Sequence, residues 1–186
     1  MATNLVEIIQ KNLQYPELSK IDPNTQDVKR KEAHSSIDNL AQAAIPAVLT
    51  ALYKLSRNDE GSLKILNAGS TGDSLAVLFN DKEKEVVEKI AQYAGVSANQ
   101  AESHLENIAD ESIRVITEHA GKDPGPEKLK QYMNDQRHNV LVYLPAALNL
   151  GDLLKDESLD DKTNKMEGPV SNFMHKIENI LSQGGS

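Results

Sequence analysis

The chain has 186 residues, no cysteine, a formal net charge of −8 and an isoelectric point near 5.1. This length fits one domain, or one domain with arms, large enough to bury a core without disulfides or metal. The missing cysteines exclude a disulfide framework, a thiolate zinc site and a cysteine nucleophile, and the acidic charge argues against a nucleic-acid face or adhesion to an anionic membrane. With 4% aromatic residues against 39% hydrophobic, the core has to be built from Leu, Ile, Val and Ala, which suits packed helices.

A first helix is expected over 4–13, capped by Asn4 with Glu7 completing a capping box; Leu5, Ile8, Ile9 and Leu13 share one face, and Tyr15-Pro16 ends it. An irregular connector with Asp22-Pro23-Asn24 follows. Over 25–55 the apolar residues Ile37, Leu40, Ala41, Ala44, Ile45, Val48, Leu49 and Leu52 alternate spacings of three and four. That is one helical stripe, rich in alanine, against which a neighbouring helix can pack closely. Pro46 sits inside it and predicts a kink, or a break just before it. Ser35 with Asp38 supplies a second start signal.

Residues 56–74 read as loop around a short turn at 63–66, and a further turn is expected at 74–79. Asp81 is expected to cap a helix running to Ala94, with Val86, Val87, Ile90 and Ala91 inward and Gly95 as the stop. Ser97 and Gln100 form a capping box for the next helix, which turns Ala101, Leu105, Ile108, Ile113 and Ile116 inward and ends near Gly121. Asp123-Pro124-Gly125-Pro126 is a rigid turn that puts Pro126 at a first helical position. Leu129, Tyr132, Met133, Val140, Tyr143, Leu144 and Leu148 continue helically around a polar patch at 134–139, with an interruption at Pro145 and a stop at Gly151.

Residues 152–165 are acidic and weakly periodic, a surface loop or linker. Gly168-Pro169 opens a last amphipathic helix with Val170, Phe173, Met174, Ile177, Ile180 and Leu181 on one face, and the 184–186 tail is expected to be loose. No segment alternates as a strand does. The expected fold is all-α, a single compact bundle of six to eight unequal helices, two of them with internal proline kinks. It divides into an N-terminal helix and connector (1–24), a central helical domain (25–154), and an acidic linker with a C-terminal helix (155–186). No run approaches the ~18 apolar residues of a membrane span, and the N-terminus shows no signal peptide, so the expected location is cytoplasmic.

Ile45-Pro46-Ala47-Val48-Leu49 is echoed by Leu144-Pro145-Ala146-Ala147-Leu148. The echo is either chance between two Ala/Leu-rich helices or a duplicated helix–proline–helix unit whose copies pack together. Further stretches are Leu75-Ala76-Val77-Leu78-Phe79-Asn80-Asp81-Lys82, Ile90-Ala91 with Gly95-Val96-Ser97, Ala101 with Leu105, and Met133-Asn134-Asp135-Gln136. In order and spacing, from about residue 30 to 154, these resemble the YidB-like bacterial family, a domain of unknown function. That family usually has glycine where Asn80 stands and often Ala-Pro where Ala109-Asp110 stand. The resemblance implies an all-α bacterial domain and carries over no reaction, ligand or catalytic residue.

Candidate chemistry is sparse. The five histidines are His34, His104, His119, His138 and His175. Asp135 with His138, His34 with Asp38, and His175 with Glu178 each place two possible metal ligands on one helix face, but the Glu-x-x-His pairs of a di-iron bundle are absent. Gly69-Ser70-Thr71-Gly72-Asp73 is a Gly/Ser loop leading into a helix; it lacks the lysine of a phosphate-binding loop. Asp152, Asp156, Glu157, Asp160 and Asp161 do not fit an EF-hand. Tyr132, Met133 and Tyr143 either fill the core or line a cavity between helices.

No catalytic, cofactor-binding or metal residue is therefore assigned. The expected function is a non-enzymatic helical module for protein interaction or self-assembly, acting through the arms 4–13 and 169–181. Two alternatives stand beside it: a small apolar ligand bound between the two proline-containing helices, and a metal-dependent helical-bundle enzyme.

Overall fold

A computed structural model describes residues 4–21, 35–68, 72–121 and 125–154 of the chain. These form α1 (Leu5–Asn12), α2 (Ser36–Leu55), α3 (Asp59–Ala68), α4 (Ser74–Phe79), α5 (Glu83–Ala94), α6 (Ala98–Ala120), α7 (Pro126–Leu141) and α8 (Leu150–Leu153), with 3-10 turns at Asn80–Lys82 and Ala146–Leu148. Among the described residues there is no strand; one isolated backbone bond joins the Ile21 N–H to the Val142 carbonyl at 2.8 Å. The fold is an all-α bundle, as the composition requires. The expected helix at 169–181 and the connector at 22–34 lie outside the described residues.

The bundle is organised around α2. Every residue from Leu40 to Tyr53 is buried, and α2 packs against α1, α3, α4, α5, α6 and α7. A helix that is apolar all round has to be enclosed in this way. The stripe read from the sequence is thus wider than one face, and its first member, Ile37, is not part of it: at 39% exposure it sits in the first turn, beyond the enclosing helices.

α2 starts where Ser35 and Asp38 place it. The Ser35 hydroxyl accepts from the Asp38 N–H while the Asp38 carboxylate accepts from the Ser35 N–H, a reciprocal capping box. No break occurs at Pro46, and the α-helix continues through it. The missing proline N–H leaves one intrahelical bond unmade, a cost of a few kcal/mol that the surrounding apolar packing offsets. Pro145, in contrast, is extended (φ −63°, ψ 127°) and precedes a 3-10 turn. α7 has already ended at Leu141, so Pro145 interrupts no helix. The echo between the two pentapeptides is one of sequence and not of conformation.

Three further boundaries differ from expectation. Residues 59–68 are a full helix rather than loop: Asn58 caps α3 by accepting from the Gly61 N–H at 2.7 Å. Gly61 is fixed there by close approach, since a Cβ on it would lie 1.9 Å from the Leu55 carbonyl oxygen. Asp81 caps nothing: it lies in the 3-10 turn Asn80–Lys82, and α5 begins after it. Gly151 stops no helix, being inside α8. The other signals act as read. Gly95 closes α5 in the left-handed conformation (φ 70°), Ser97 and Gln100 form a reciprocal box at α6, and Pro126 opens α7.

Two buried glutamines join the helices. The Leu5 N–H at the start of α1 donates to Oε1 of Gln136 on α7 at 2.9 Å. Asn4 caps the same end by accepting from the Val6 N–H, and its Nδ2 donates to the Glu7 carboxylate, so Glu7 turns to the cap side chain rather than to the backbone. On α2, the Oε1 of Gln42 accepts from the Ser19 N–H, and its Nε2 donates to the carbonyls of Ser19 and Tyr143. These bonds pin α1 and its connector to the α2–α7 pair.

Candidate functional site

A groove of about 700 Å³ opens at the C-terminal end of α2. Its apolar surface comes from Ala51 and Leu55 of α2, Ala76, Val77, Leu78 and Phe79 of α4, and Leu153 and Leu154 at the end of α8. Lys54, Asn58, Lys64, Asp73, Asn80, Asp81 and Lys82 form its polar edge. The elements place this edge simply. Asp73 caps α4, accepting from the Ala76 N–H at 3.2 Å, and Asn80 takes a positive φ of 50° that turns the chain from α4 toward α5.

Two of the rim lysines are paired at the surface. Lys64 lies 2.7 Å from Glu60, and Lys82 lies 3.3 Å from Glu85. The Lys64 hydrogen bond holds the Glu60 carboxyl below its ordinary range. Such exposed pairs contribute little and exchange readily for other partners. Beyond Asp73, burial first, and then the nearby charges of Asp73, Glu102 and Glu106, push the Glu83 carboxyl upward.

A second cleft of about 400 Å³ lies between α3 and α6, lined by Leu66, Ala68, Ser74, Asp110, Ile113 and Arg114 among others. Its polar groups answer one another. The Ser74 hydroxyl donates to Asp110 at 2.5 Å, and Arg114 donates to Glu111 and Glu118 at 2.6 Å.

The sequence candidates are dispersed. Nδ1 of His104 shares a 2.5 Å hydrogen bond with the Tyr15 hydroxyl, whose pKa burial pushes up to about 12. His119 bonds the Val115 carbonyl at 2.9 Å and stacks on Tyr132. Asp135 and His138 are both exposed on α7, and no group of three or more His, Asp or Glu able to hold a metal occurs among the described residues. Asp38 is taken up in the α2 cap, while His34, His175, Glu178, Asp156, Glu157, Asp160 and Asp161 lie outside the described residues, as do Gly69, Ser70 and Thr71. Met133 is core at 0% exposure, and Tyr143 is buried; neither they nor Tyr132 line either cleft. Nor do residues 45–49 or 144–148, so the groove is elsewhere than between the two proline segments.

Sequence reasoning passed over the groove residues. The one signal pointing to them is that Leu75-Ala76-Val77-Leu78-Phe79 is too apolar for the short turn it was assigned to, so part of that run has to face something beyond its own two turns of helix. No helix of the described residues is long and apolar enough to cross a membrane. No family model matches the chain, and neither does any curated protein or solved structure.

Proposed function

We propose that the protein is a non-enzymatic helical interaction module, and that the groove at the end of α2 takes an amphipathic helix. The observation that carries this reading is the groove itself: an apolar floor from three helices, bordered by lysines and aspartates, with Lys64 and Lys82 in surface ion pairs to Glu60 and Glu85. A helix with apolar residues at i, i+3, i+4 and i+7 buries them in such a trough and keeps its charges on the rim. The residues of the floor carry no nucleophile and no histidine, so the groove offers contact rather than reaction. The YidB-like resemblance belongs with this proposal, and one feature supports it: Asn80, where that family usually has glycine, has a positive φ that glycine adopts without strain.

The test is a titration followed by amide chemical shifts. The full chain carrying Phe173→Asp and Ile177→Asp receives a synthetic peptide of residues 165–186. Saturable shifts confined to 51–58, 76–82 and 153–154 are the expected result. A peptide that moves no groove amide at millimolar concentration would overturn the reading.

A further inference from the structure

We infer that the occupant of the groove is the chain's own segment 169–181, which rests on the reading of the groove as a helix-docking surface. Four observations converge on it. The described chain ends its last helix at the groove wall, where Leu153 and Leu154 are themselves lining residues, so residues 155 onward start at this site. The 14 residues 155–168 span at most ~50 Å when extended, enough to bring the segment to any part of the groove and short enough to hold it at a high effective concentration.

The segment has the required pattern: Val170, Phe173, Met174, Ile177 and Leu181 fall at i, i+3, i+4, i+7 and i+11, one apolar stripe when helical. As a helix its 13 residues would span ~20 Å, a length that is marginal alone in water and needs a surface to pack against.

The charges agree. In a chain of net charge −8 the groove rim has three lysines against two aspartates. The stretch 155–168 that leaves Leu154 holds Asp156, Glu157, Asp160, Asp161 and Glu167 against Lys155, Lys162 and Lys165, a net charge of −2. Lys64 and Lys82 can exchange their exposed pairings with Glu60 and Glu85 for these carboxylates at little cost. The tail is thus an amphipathic segment tethered at the groove, with a net acidic flank facing a rim of three lysines and two aspartates, and any outside helix has to compete with it.

The test uses the full chain and its lack of cysteine. Lys64→Cys, at an exposed position on the rim, carries a single nitroxide label, and amide intensities are compared before and after reduction of the label. The amides of 170–181 are expected to lose most of their intensity, equally at every protein concentration. They should keep it when the nitroxide sits on a second copy without isotopes, mixed with the isotope-labelled, cysteine-free parent chain. Full intensity at 170–181 in the labelled chain overturns the inference and leaves the groove reading to the peptide titration. Loss that appears in the mixed sample as well also overturns it and assigns the groove to the tail of a second copy.

Discussion

The side-chain amide of Gln42, in the middle of α2, donates to the backbone carbonyl of Tyr143 at 2.7 Å, across 101 residues of sequence. The same side chain satisfies both the N–H and the carbonyl of Ser19. One buried glutamine therefore serves three backbone groups that have left regular structure. Gln42→Leu leaves all three without that partner, and each buried unpaired group costs ~1–3 kcal/mol. The expected loss is about 3 kcal/mol, read as a lowered denaturant midpoint with an unchanged slope; a loss under about 1 kcal/mol would show that these backbone groups find other partners.

Gly61 gives the opposite of the usual helix rule. In a helix, Gly→Ala ordinarily stabilises by ~1 kcal/mol. Here the new Cβ would meet the Leu55 carbonyl oxygen at 1.9 Å, and that atom is backbone. Gly61→Ala is expected to destabilise by about 2–3 kcal/mol, because α3 has to move away from the end of α2. Thermal unfolding of the variant checks the sign.

Asn80 stands at φ 50°, ψ −126°, between α4 and the following 3-10 turn. Relief of this backbone strain outweighs the extra freedom glycine has in the unfolded chain. Asn80→Gly is expected to stabilise by roughly 0.5–1 kcal/mol, measured by the same denaturant midpoint.

Tyr15 supplies a pH prediction. Burial raises its pKa from 10 in the unfolded chain to about 12 in the fold. Between these values the unfolded state has released the proton while the folded state retains it, so stability is full below pH 10 and falls as pH rises toward 12. Burial raises Tyr132 and Tyr143 as well. Tyr15→Phe is therefore expected to remove the most alkaline component of the phenolate absorbance titration and to leave the rest; a titration unchanged by the substitution would contradict the burial of Tyr15 against His104.

What could be read in the sequence was whatever short-range chemistry decides. Ser35 with Asp38, Ser97 with Gln100, Pro126 and Gly95 act through neighbours within four residues, and each sets its helix end as read. The all-α class follows from the same periodicity. What escaped depends on tertiary surroundings. Pro46 remains in a continuous helix because the helices around α2 hold it there. Residues 59–68 are helical although Asn58-Asp59-Glu60-Gly61 has the composition of a turn, because the glycine is needed for contact with Leu55 rather than for a bend. Gln42 and Gln136 gave no signal, since a buried glutamine is recognisable only by distant backbone groups. The groove was illegible for the same reason: its floor combines residues 51–55, 76–79 and 153–154, none of which carries a chemical motif.

The measurement that tests the central claim most directly is the affinity of the 165–186 peptide for the Phe173→Asp, Ile177→Asp chain, with and without Val77→Asp in the groove floor. Burying one apolar side chain is worth ~1.5–3 kcal/mol, and a charge in its place forfeits that contact. The account predicts a dissociation constant at least about tenfold higher in the Val77→Asp chain. Equal affinities for the two chains would contradict it, because the peptide would then be binding somewhere other than the groove.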